Sequence, residues 1–137
     1  MNSPRKSLVL YVDGSSQGNP GPAAIGVVLR DGAGTIVDTF SELIGVATNN
    51  QAEYRALIAG LELTLKSGAA QVAVNLDSEL VVKQLKGEYR VRNAGLKPLF
   101  RRARQLLQRF DSFTIAHLPR QQNYEAHRLA RQQLDAL

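Results

Sequence analysis

SLVLYVDGSSQGNPGPAAIGVVLRD, residues 7–31, decides how the fold begins. SLVLYVD is rich in aliphatic and β-branched side chains, and it runs into DGSSQGNPGP, a segment dense in Gly and Pro. This pattern is typical of a strand that ends at a loop, and the apolar AAIGVVLRD predicts a second strand over 23–31. We therefore expect neighbouring strands at the start of the chain, with Asp13 where the first strand ends.

The remaining segments predict further strands and helices in a regular order. GTIVDTFSELI, residues 34–44, follows the second strand through an Asp-Gly pair that is typical of a hairpin, so three antiparallel strands come first. Apolar spacing predicts two further strands, one over 71–77 and one in SFTIAHL. It also predicts helices over 50–66, 78–86 and 96–110, and a closing helix after the last strand. This order predicts an α/β fold with one five-stranded mixed sheet flanked by helices.

Size and composition limit the classes of protein to which the chain can belong. Its 137 residues suit a single domain over 1–137. The absence of Cys excludes a disulfide framework and a thiolate metal site. The longest apolar run, LVLYV, is too short to span a bilayer, and the polar first residues lack the features of a secretory signal. We therefore expect a cytoplasmic protein with no membrane partner and no obligatory protein partner.

Basic side chains are concentrated in one segment of the chain. Between Lys83 and Arg109 there is one acid, Glu88, against nine cations: Lys83, Lys86, Arg90, Arg92, Lys97, Arg101, Arg102, Arg104 and Arg109. Such a local excess favours a polyanionic partner such as a nucleic acid. The alternative is a solvated helix face without a partner, and the sequence leaves both open.

Three carboxylates stand where strands and helices meet. Asp13 and Asp77 each follow an apolar strand, and Glu53 lies in the first turns of the long helix. If the two strands are neighbours, the acids converge near the core, where unpaired charges are costly. Carboxylate oxygens favour Mg²⁺, and two ions about 3.5 to 4 Å apart can activate a water and stabilise the leaving oxygen of a phosphodiester. Each acid alone could equally cap a turn or face solvent.

Four segments carry distinctive motifs that extend over nearly the whole chain. They are YVDGSSQGNPGPAAIGVVL (11–29), TNNQAEYRALIAGLELT (48–64), VNLDSELVVKQLKGEY (74–89) and HLPRQQNYEAHRLA (117–130). In this order and spacing, the segments resemble the type 1 ribonuclease H family. The resemblance implies the ribonuclease H-like fold and an endonuclease that cleaves the RNA strand of RNA–DNA hybrids. It also implies two Mg²⁺ or Mn²⁺ ions and products with 5′-phosphate and 3′-hydroxyl ends.

The resemblance also assigns roles to individual residues. It implies that Asp13, Glu53 and Asp77 are catalytic and bind the metal ions. It implies contacts with the hybrid from six further residues: Gly14, Ser15, Asn19, Thr48, Asn49 and Gln51. Contacts of this kind read duplex shape and 2′-hydroxyls, so little base specificity is expected. The alternative for the TNN segment is that Thr48 or Asn49 caps the long helix.

The closing segment departs from the family pattern at the fourth acid. The family usually reads N-x-x-A-D-x-L-A, whereas this chain reads NYEAHRLA, so His127 takes the place of the aspartate as a candidate catalytic and metal-binding residue. Imidazole suits Mn²⁺ better than Mg²⁺, which predicts a relative preference for Mn²⁺. The alternative is that His127 only packs at the edge of an apolar helix stripe while Glu125 or water completes the site.

Other departures concern how the substrate is bound and whether it is cleaved. Val46 stands where family members with a strong DNA-phosphate pocket have Arg, and KGEYRVRNAGLKP, residues 86–98, lacks the long basic protrusion of the well-known bacterial branch. The motifs begin within the first dozen residues, so we expect no separate hybrid-binding domain.

Two alternative functions remain open at this point. One is a non-catalytic hybrid-binding module of the same fold, and the other is a different nuclease that acts on duplex DNA. The retained acid cluster favours the enzyme.

Overall fold

The computed structural model describes residues 6–137. Its five strands are β1 Ser7–Ser16, β2 Gly21–Arg30, β3 Ile36–Ala47, β4 Gln71–Leu76 and β5 Ser112–His117. Its four α-helices are α1 Asn49–Lys66, α2 Glu79–Leu85, α3 Lys97–Leu107 and α4 Tyr124–Asp135, and a 3₁₀ turn over Arg120–Asn123 precedes α4. Within the described residues, no helix is both long and apolar enough to cross a membrane.

The strands form one mixed sheet in the order β3-β2-β1-β4-β5. β1, β2 and β3 are antiparallel neighbours, whereas β4 pairs in parallel with both β1 and β5. This arrangement confirms the predicted α/β class and the five-stranded mixed sheet. Val12 of β1 lies opposite Leu76 of β4. The residues that follow them, Asp13 and Asp77, therefore lie at the same end of two adjacent strands.

The first strand is longer than its sequence predicts. β1 continues through DGSS to Ser16, and Asp13 pairs with Gly26 of β2 instead of starting a loop. Small polar residues favour turns, but here the ladder with β2 satisfies their backbone groups. The prediction that Asp13 ends the strand was wrong, and the acid is held within a paired segment.

Two other predicted boundaries, the ends of β3 and α3, differ from the structure by three residues. β3 begins at Ile36 and extends to Ala47 across an irregularity at Gly45, whose φ of +79° lies in the left-handed region that glycine tolerates. α3 ends at Leu107, not at residue 110, because the chain then turns to begin β5. The Asp111 N–H donates a hydrogen bond to the Ala70 carbonyl at 2.8 Å and fixes this turn.

The two faces of the sheet are covered by different helices. Alternate residues of β1, among them Leu10 and Val12, are fully buried against α1 in the main core. On the opposite face, Gly26 lies so close to the backbone of Ala126 in α4 that there is no room for a Cβ. Because side chains alternate along a strand, Asp13 projects to the face of α4 while its neighbour Val12 packs in the core.

Candidate active site

Three different elements bring Asp13, Glu53 and Asp77 together. Asp13 lies in β1, Glu53 in the second turn of α1, and Asp77 between β4 and α2. One carboxylate oxygen of each residue lies within 4.8 Å of the other two. The three acids line an open cleft of about 230 Å³, which we call the acid cleft. The acids that the sequence analysis selected are therefore neighbours in space.

A close approach of β1 and α1 places Glu53. The Gly14 N–H donates a hydrogen bond to Glu53 Oε1 at 2.9 Å. The Gly14 Cα lies against the backbone of Ala52 and Glu53, and a Cβ there would overlap the Ala52 carbonyl group. Only glycine allows this strand and helix to come so close, which explains the Asp-Gly pair in physical terms.

Two polar contacts place Asp77 at the start of α2. The Ser78 hydroxyl accepts a hydrogen bond from the Val81 N–H at 3.2 Å and caps the helix. The Asn123 side chain donates a hydrogen bond to Asp77 Oδ2 at 3.1 Å. The sequence analysis did not select Asn123, and the available signal was its position one helical turn before His127.

The electrostatics of the acid cleft fit a bound cation. Asp13 is 2% exposed and Glu53 is 6% exposed. Burial, and then the charge of Asp77, raise the pKa of Asp13. Burial, and then the charge of Asp13, raise the pKa of Glu53 well above its ordinary value, although the Gly14 N–H partly opposes this.

A buried carboxylate oxygen in the cleft lacks a partner. Glu53 Oε2 has no hydrogen-bond partner within residues 6–137. In the same part of the chain, no Lys or Arg forms an ion pair with Asp13, Glu53 or Asp77. Buried charges require a partner, and hard oxygen donors prefer Mg²⁺ or Mn²⁺, so this donor set fits divalent cations.

His127 occupies the fourth side of the acid cleft. Its Nδ1 atom lies 2.9 Å from Asp13 Oδ2, and its side chain is 26% exposed. Glu125 instead accepts a hydrogen bond from Arg128 at 2.9 Å and does not line the cleft among the described residues. The geometry therefore favours His127 over Glu125 as the fourth member of the site, while its role at a metal remains a prediction.

The residues predicted to contact substrate fall into two groups. Gly14, Ser15 and Asn49 line the acid cleft. Asn19 does not, but its side chain accepts a hydrogen bond from the Asn49 N–H at 3.1 Å and thereby holds the GNPGP loop against the start of α1. Asn49 Oδ1 in turn accepts from the Ser16 hydroxyl at 2.8 Å. These contacts form a polar wall beside the acids.

Thr48 and Gln51 form a capping box at the start of α1. Thr48 Oγ1 accepts from the Gln51 N–H at 3.1 Å, and Gln51 Oε1 accepts from the Thr48 N–H at 2.9 Å. The alternative that this segment caps the long helix is therefore confirmed for Thr48. Neither residue is among the described residues that line the acid cleft. Their contacts with a hybrid remain predictions.

The basic segment between Lys83 and Arg109 does not form one surface. Arg102 pairs with Glu62 of α1 at 3.5 Å, and Arg104 donates a hydrogen bond to the Leu85 carbonyl at 2.9 Å. Lys83 pairs with Glu79 at 2.9 Å. These three cations are engaged within the protein, so only part of the segment is available to a polyanion.

A second groove contains three of the six cations that remain. Arg90, Lys97 and Arg101 line a depression of about 440 Å³ together with Tyr89, and we call these four residues the basic groove. None of the three cations forms an ion pair with another described residue. The groove lies near the end of α2, whereas the acid cleft lies at its beginning. Between these two ends, the seven residues of α2 span about 10 Å at about 1.5 Å per residue.

Arg120 and His117 lie in the connection between β5 and α4. Arg120 is the only Lys or Arg among the described residues that line the acid cleft. Sequence analysis missed it, because one Arg in LPRQQN carries no distinctive pattern. His117 is the ladder partner of Leu76, one residue before Asp77, but it does not line the cleft in the described part of the chain.

Known proteins share both the sequence pattern and the fold. A family model described as reverse transcriptase-like matches residues 11–133. Ribonuclease HI of Halobacterium salinarum is 49% identical over 125 residues, which cover 91% of this chain and 63% of the relative. This chain belongs to the type 1 ribonuclease H family. A bifunctional protein of Mycobacterium tuberculosis is 43% identical over 130 residues, but the chain spans only 36% of its length.

Solved structures of type 1 ribonucleases H confirm the fold. The crystal structure of RNase H1 from Halobacterium salinarum superimposes with a TM-score of 0.93 at 46% identity and covers 96% of this chain and 99% of that one. LC11-RNase H1, crystallised in complex with an RNA/DNA hybrid, superimposes with a TM-score of 0.90 at 38% identity over 94% of this chain and 97% of that one. The recognised family and the predicted ribonuclease H-like fold are therefore confirmed.

Proposed function

We propose that this type 1 ribonuclease H domain is an endonuclease that hydrolyses the RNA strand of RNA–DNA hybrids and leaves 5′-phosphate and 3′-hydroxyl ends. The observation that carries the proposal is the acid cleft, where three carboxylates converge, two of them buried, without an ion pair to Lys or Arg among the described residues. Ribonuclease activity in family members, and the hybrid bound to LC11-RNase H1, support the substrate class. We treat residues 1–137 as one catalytic domain.

Asp13, Glu53 and Asp77 would hold two Mg²⁺ or Mn²⁺ ions. Such ions, when bound, supply an activated water and stabilise the charge that develops on the phosphate and the leaving oxygen. The chain's own contribution is to fix the ligands before substrate arrives. The Gly14 N–H orients Glu53, and the Asn123 side chain orients Asp77. A cleft with preset ligands avoids reorganisation during the reaction.

His127 would act beside Asp13 in place of the family's fourth acid. Its contact with Asp13 Oδ2 places an imidazole where the family pattern has a carboxylate. A neutral imidazole lowers the negative charge of the site by one unit and offers a nitrogen donor. The nitrogen donor favours Mn²⁺ relative to Mg²⁺, because Mg²⁺ prefers oxygen ligands more strongly.

The hybrid would extend from the acid cleft across α2 to the basic groove. Arg120 would contact a phosphate at the cleft, and the wall formed by Ser16, Asn19 and Asn49 would face the minor groove, where 2′-hydroxyls are displayed. Arg90, Lys97 and Arg101 would bind phosphates of the DNA strand. The basic groove would then bind substrate phosphates in place of the longer basic protrusion of other family members.

The second candidate is a non-catalytic hybrid-binding module of the same fold. The observation that favours it is His127, since loss of one of four acids is how such a module could arise. A module has no need for the remaining acids, whose mutual repulsion destabilises the metal-free protein. The retained cluster therefore favours the enzyme.

A cleavage assay with strand-specific labels tests the proposal. Wild type is incubated with a hybrid labelled on either strand, with duplex DNA and with double-stranded RNA, in Mg²⁺ and in Mn²⁺. We expect cutting of the RNA strand of the hybrid alone. Binding of the hybrid without cutting in either metal would favour the module, and cutting of duplex DNA would favour a different nuclease.

A further inference from the structure

Asn123 is a buried amide that joins two parts of the acid cleft. It is 1% exposed and lies at the end of the 3₁₀ turn before α4. Its Nδ2 atom donates one hydrogen bond to the Val12 carbonyl at 2.8 Å and another to Asp77 Oδ2 at 3.1 Å. Both N–H groups of the amide are thus used, one on the residue before Asp13 and the other on an acid of the cleft.

The Asn123 side chain does not cap α4, although its position at the start of the helix favours capping. Asn123 is the N-cap residue of α4, where an Asn side chain commonly accepts a hydrogen bond from the first turn of the helix. Here the side chain makes no capping bond. Its amide is turned instead towards β1 and Asp77, so the capping contribution is forgone for contacts at the cleft.

The amide oxygen of Asn123 also indicates a role beyond stability. Oδ1 is buried and has no hydrogen-bond partner within the described residues. An unsatisfied buried acceptor destabilises a fold, so a residue retained for packing alone would be better apolar. What the position gains from Asn is the pair of N–H donors.

We infer that Asn123 is a positioning residue that fixes the Asp77 carboxylate and the start of α4 for metal binding, an inference that rests on the proposed function. With Oδ2 held by the amide, Asp77 has one defined orientation and leaves Oδ1 for a cation. One helical turn later, α4 brings His127 to Asp13. Partners of this kind orient metal ligands without touching the metal, and their loss typically reduces affinity or activity about 10- to 100-fold.

Three variants of Asn123 separate positioning from folding. Asn123→Asp keeps the size of the side chain but removes both donors, and Asn123→Ala removes the amide. Asn123→Ser is the milder change if the alanine variant is unstable. The matched control is Leu134→Ala, a substitution on the same helix as Asn123's capping position. Leu134 packs α4 against Ala24 of β2, and it does not line the acid cleft.

Mn²⁺ binding is measured by calorimetry, and cleavage of a labelled hybrid is measured against the concentrations of Mn²⁺ and of hybrid. We expect Asn123→Ala and Asn123→Asp to require about 10- to 100-fold more Mn²⁺ in both measurements. We expect kcat to fall while KM for the hybrid is unchanged, and Asn123→Ser to lie between these variants and wild type. Leu134→Ala should melt at a lower temperature but bind Mn²⁺ as wild type does.

Three results would overturn the inference. The first is wild-type Mn²⁺ binding by Asn123→Ala, and the second is an equal loss of Mn²⁺ affinity in Leu134→Ala. The third is unfolding of all three Asn123 variants, which would assign the residue a structural role alone. Failure of the proposed function is a separate outcome, because it appears as an absence of cleavage by wild type in the same assay, whatever the calorimetry of the variants shows.

Discussion

The acid cleft and the basic groove differ in how their charges are placed. The acids come from segments 64 residues apart, and two of the three are buried, whereas the cations of the basic groove lie within 12 residues and stay at the surface. Buried like charges oppose folding of the metal-free protein, while solvated cations cost little. Changes in the acid cleft should therefore alter chemistry and stability together, and changes in the basic groove should alter binding alone.

Asp13→Asn should produce the largest effect, because it removes a central acid of the cleft. We expect activity on the hybrid to fall by about 1000-fold, which corresponds to about 4 kcal/mol of transition-state stabilisation. Hybrid binding without metal should be kept, since the basic groove is untouched. Single-turnover cleavage and metal-free binding are measured on the same preparation. Retained cleavage would show that the acids are not the reaction centre.

His127→Asp should change metal preference. The substitution restores the carboxylate of the family pattern, so we expect the ratio of Mg²⁺-supported to Mn²⁺-supported activity to rise by about tenfold. Activity with each metal at saturating hybrid measures this ratio. Glu125→Gln is the control, because that side chain pairs with Arg128 away from the cleft and should leave the ratio unchanged. An equal ratio in wild type and His127→Asp would contradict a role at the metal.

Arg101→Gln and Arg102→Gln form a matched pair on neighbouring residues of α3. Arg101 lines the basic groove, whereas Arg102 pairs with Glu62 of α1. If Arg101 binds one phosphate, its loss should lower the slope of log affinity against log salt by about 0.9, while Arg102→Gln keeps the slope of wild type. Titrations at several salt concentrations measure the slopes. Equal slopes for the two variants would place the hybrid elsewhere.

The raised pKa values of Asp13 and Glu53 predict how stability depends on pH. Both groups hold a proton in the folded protein at a pH where the unfolded chain has released it. The folded state then binds more protons, so the free energy of unfolding falls as pH rises above about 4 towards the raised pKa values. Urea unfolding of the metal-free protein across this range should show a shallower fall for Glu53→Gln. Glu62→Gln, an exposed acid of α1, should follow wild type.

Sequence reasoning located the acid cleft better than the basic groove. Asp13, Glu53 and Asp77 could be predicted because in the sequence each follows an apolar strand segment or lies in the first turns of the long helix. The parallel pairing of β1 and β4 then places two of them together. The same reasoning could not assign faces to nine neighbouring cations. Their partners, such as Glu62 for Arg102, lie far away in sequence.

The residues that sequence reasoning missed share a physical cause. Asn123 resembles an ordinary N-cap, and only the packed structure shows its amide turned away from the helix towards Asp77. Gln51 was selected only as a candidate substrate contact, and the sequence did not indicate that its side chain accepts a hydrogen bond from the Thr48 N–H in a capping box. In both cases the deciding contact depends on side-chain orientation, which spacing along the chain does not encode.

The most direct test of the acid cleft as a metal site is the effect of Mn²⁺ on thermal stability. Wild type and Asp13→Asn are melted without metal and with Mn²⁺ at about 100 times its dissociation constant, where binding stabilises the folded state by about 2.7 kcal/mol. We predict that the melting temperature of wild type rises by several degrees and that of Asp13→Asn does not change. An equal rise in both proteins would contradict the assignment of the acid cleft as the metal site.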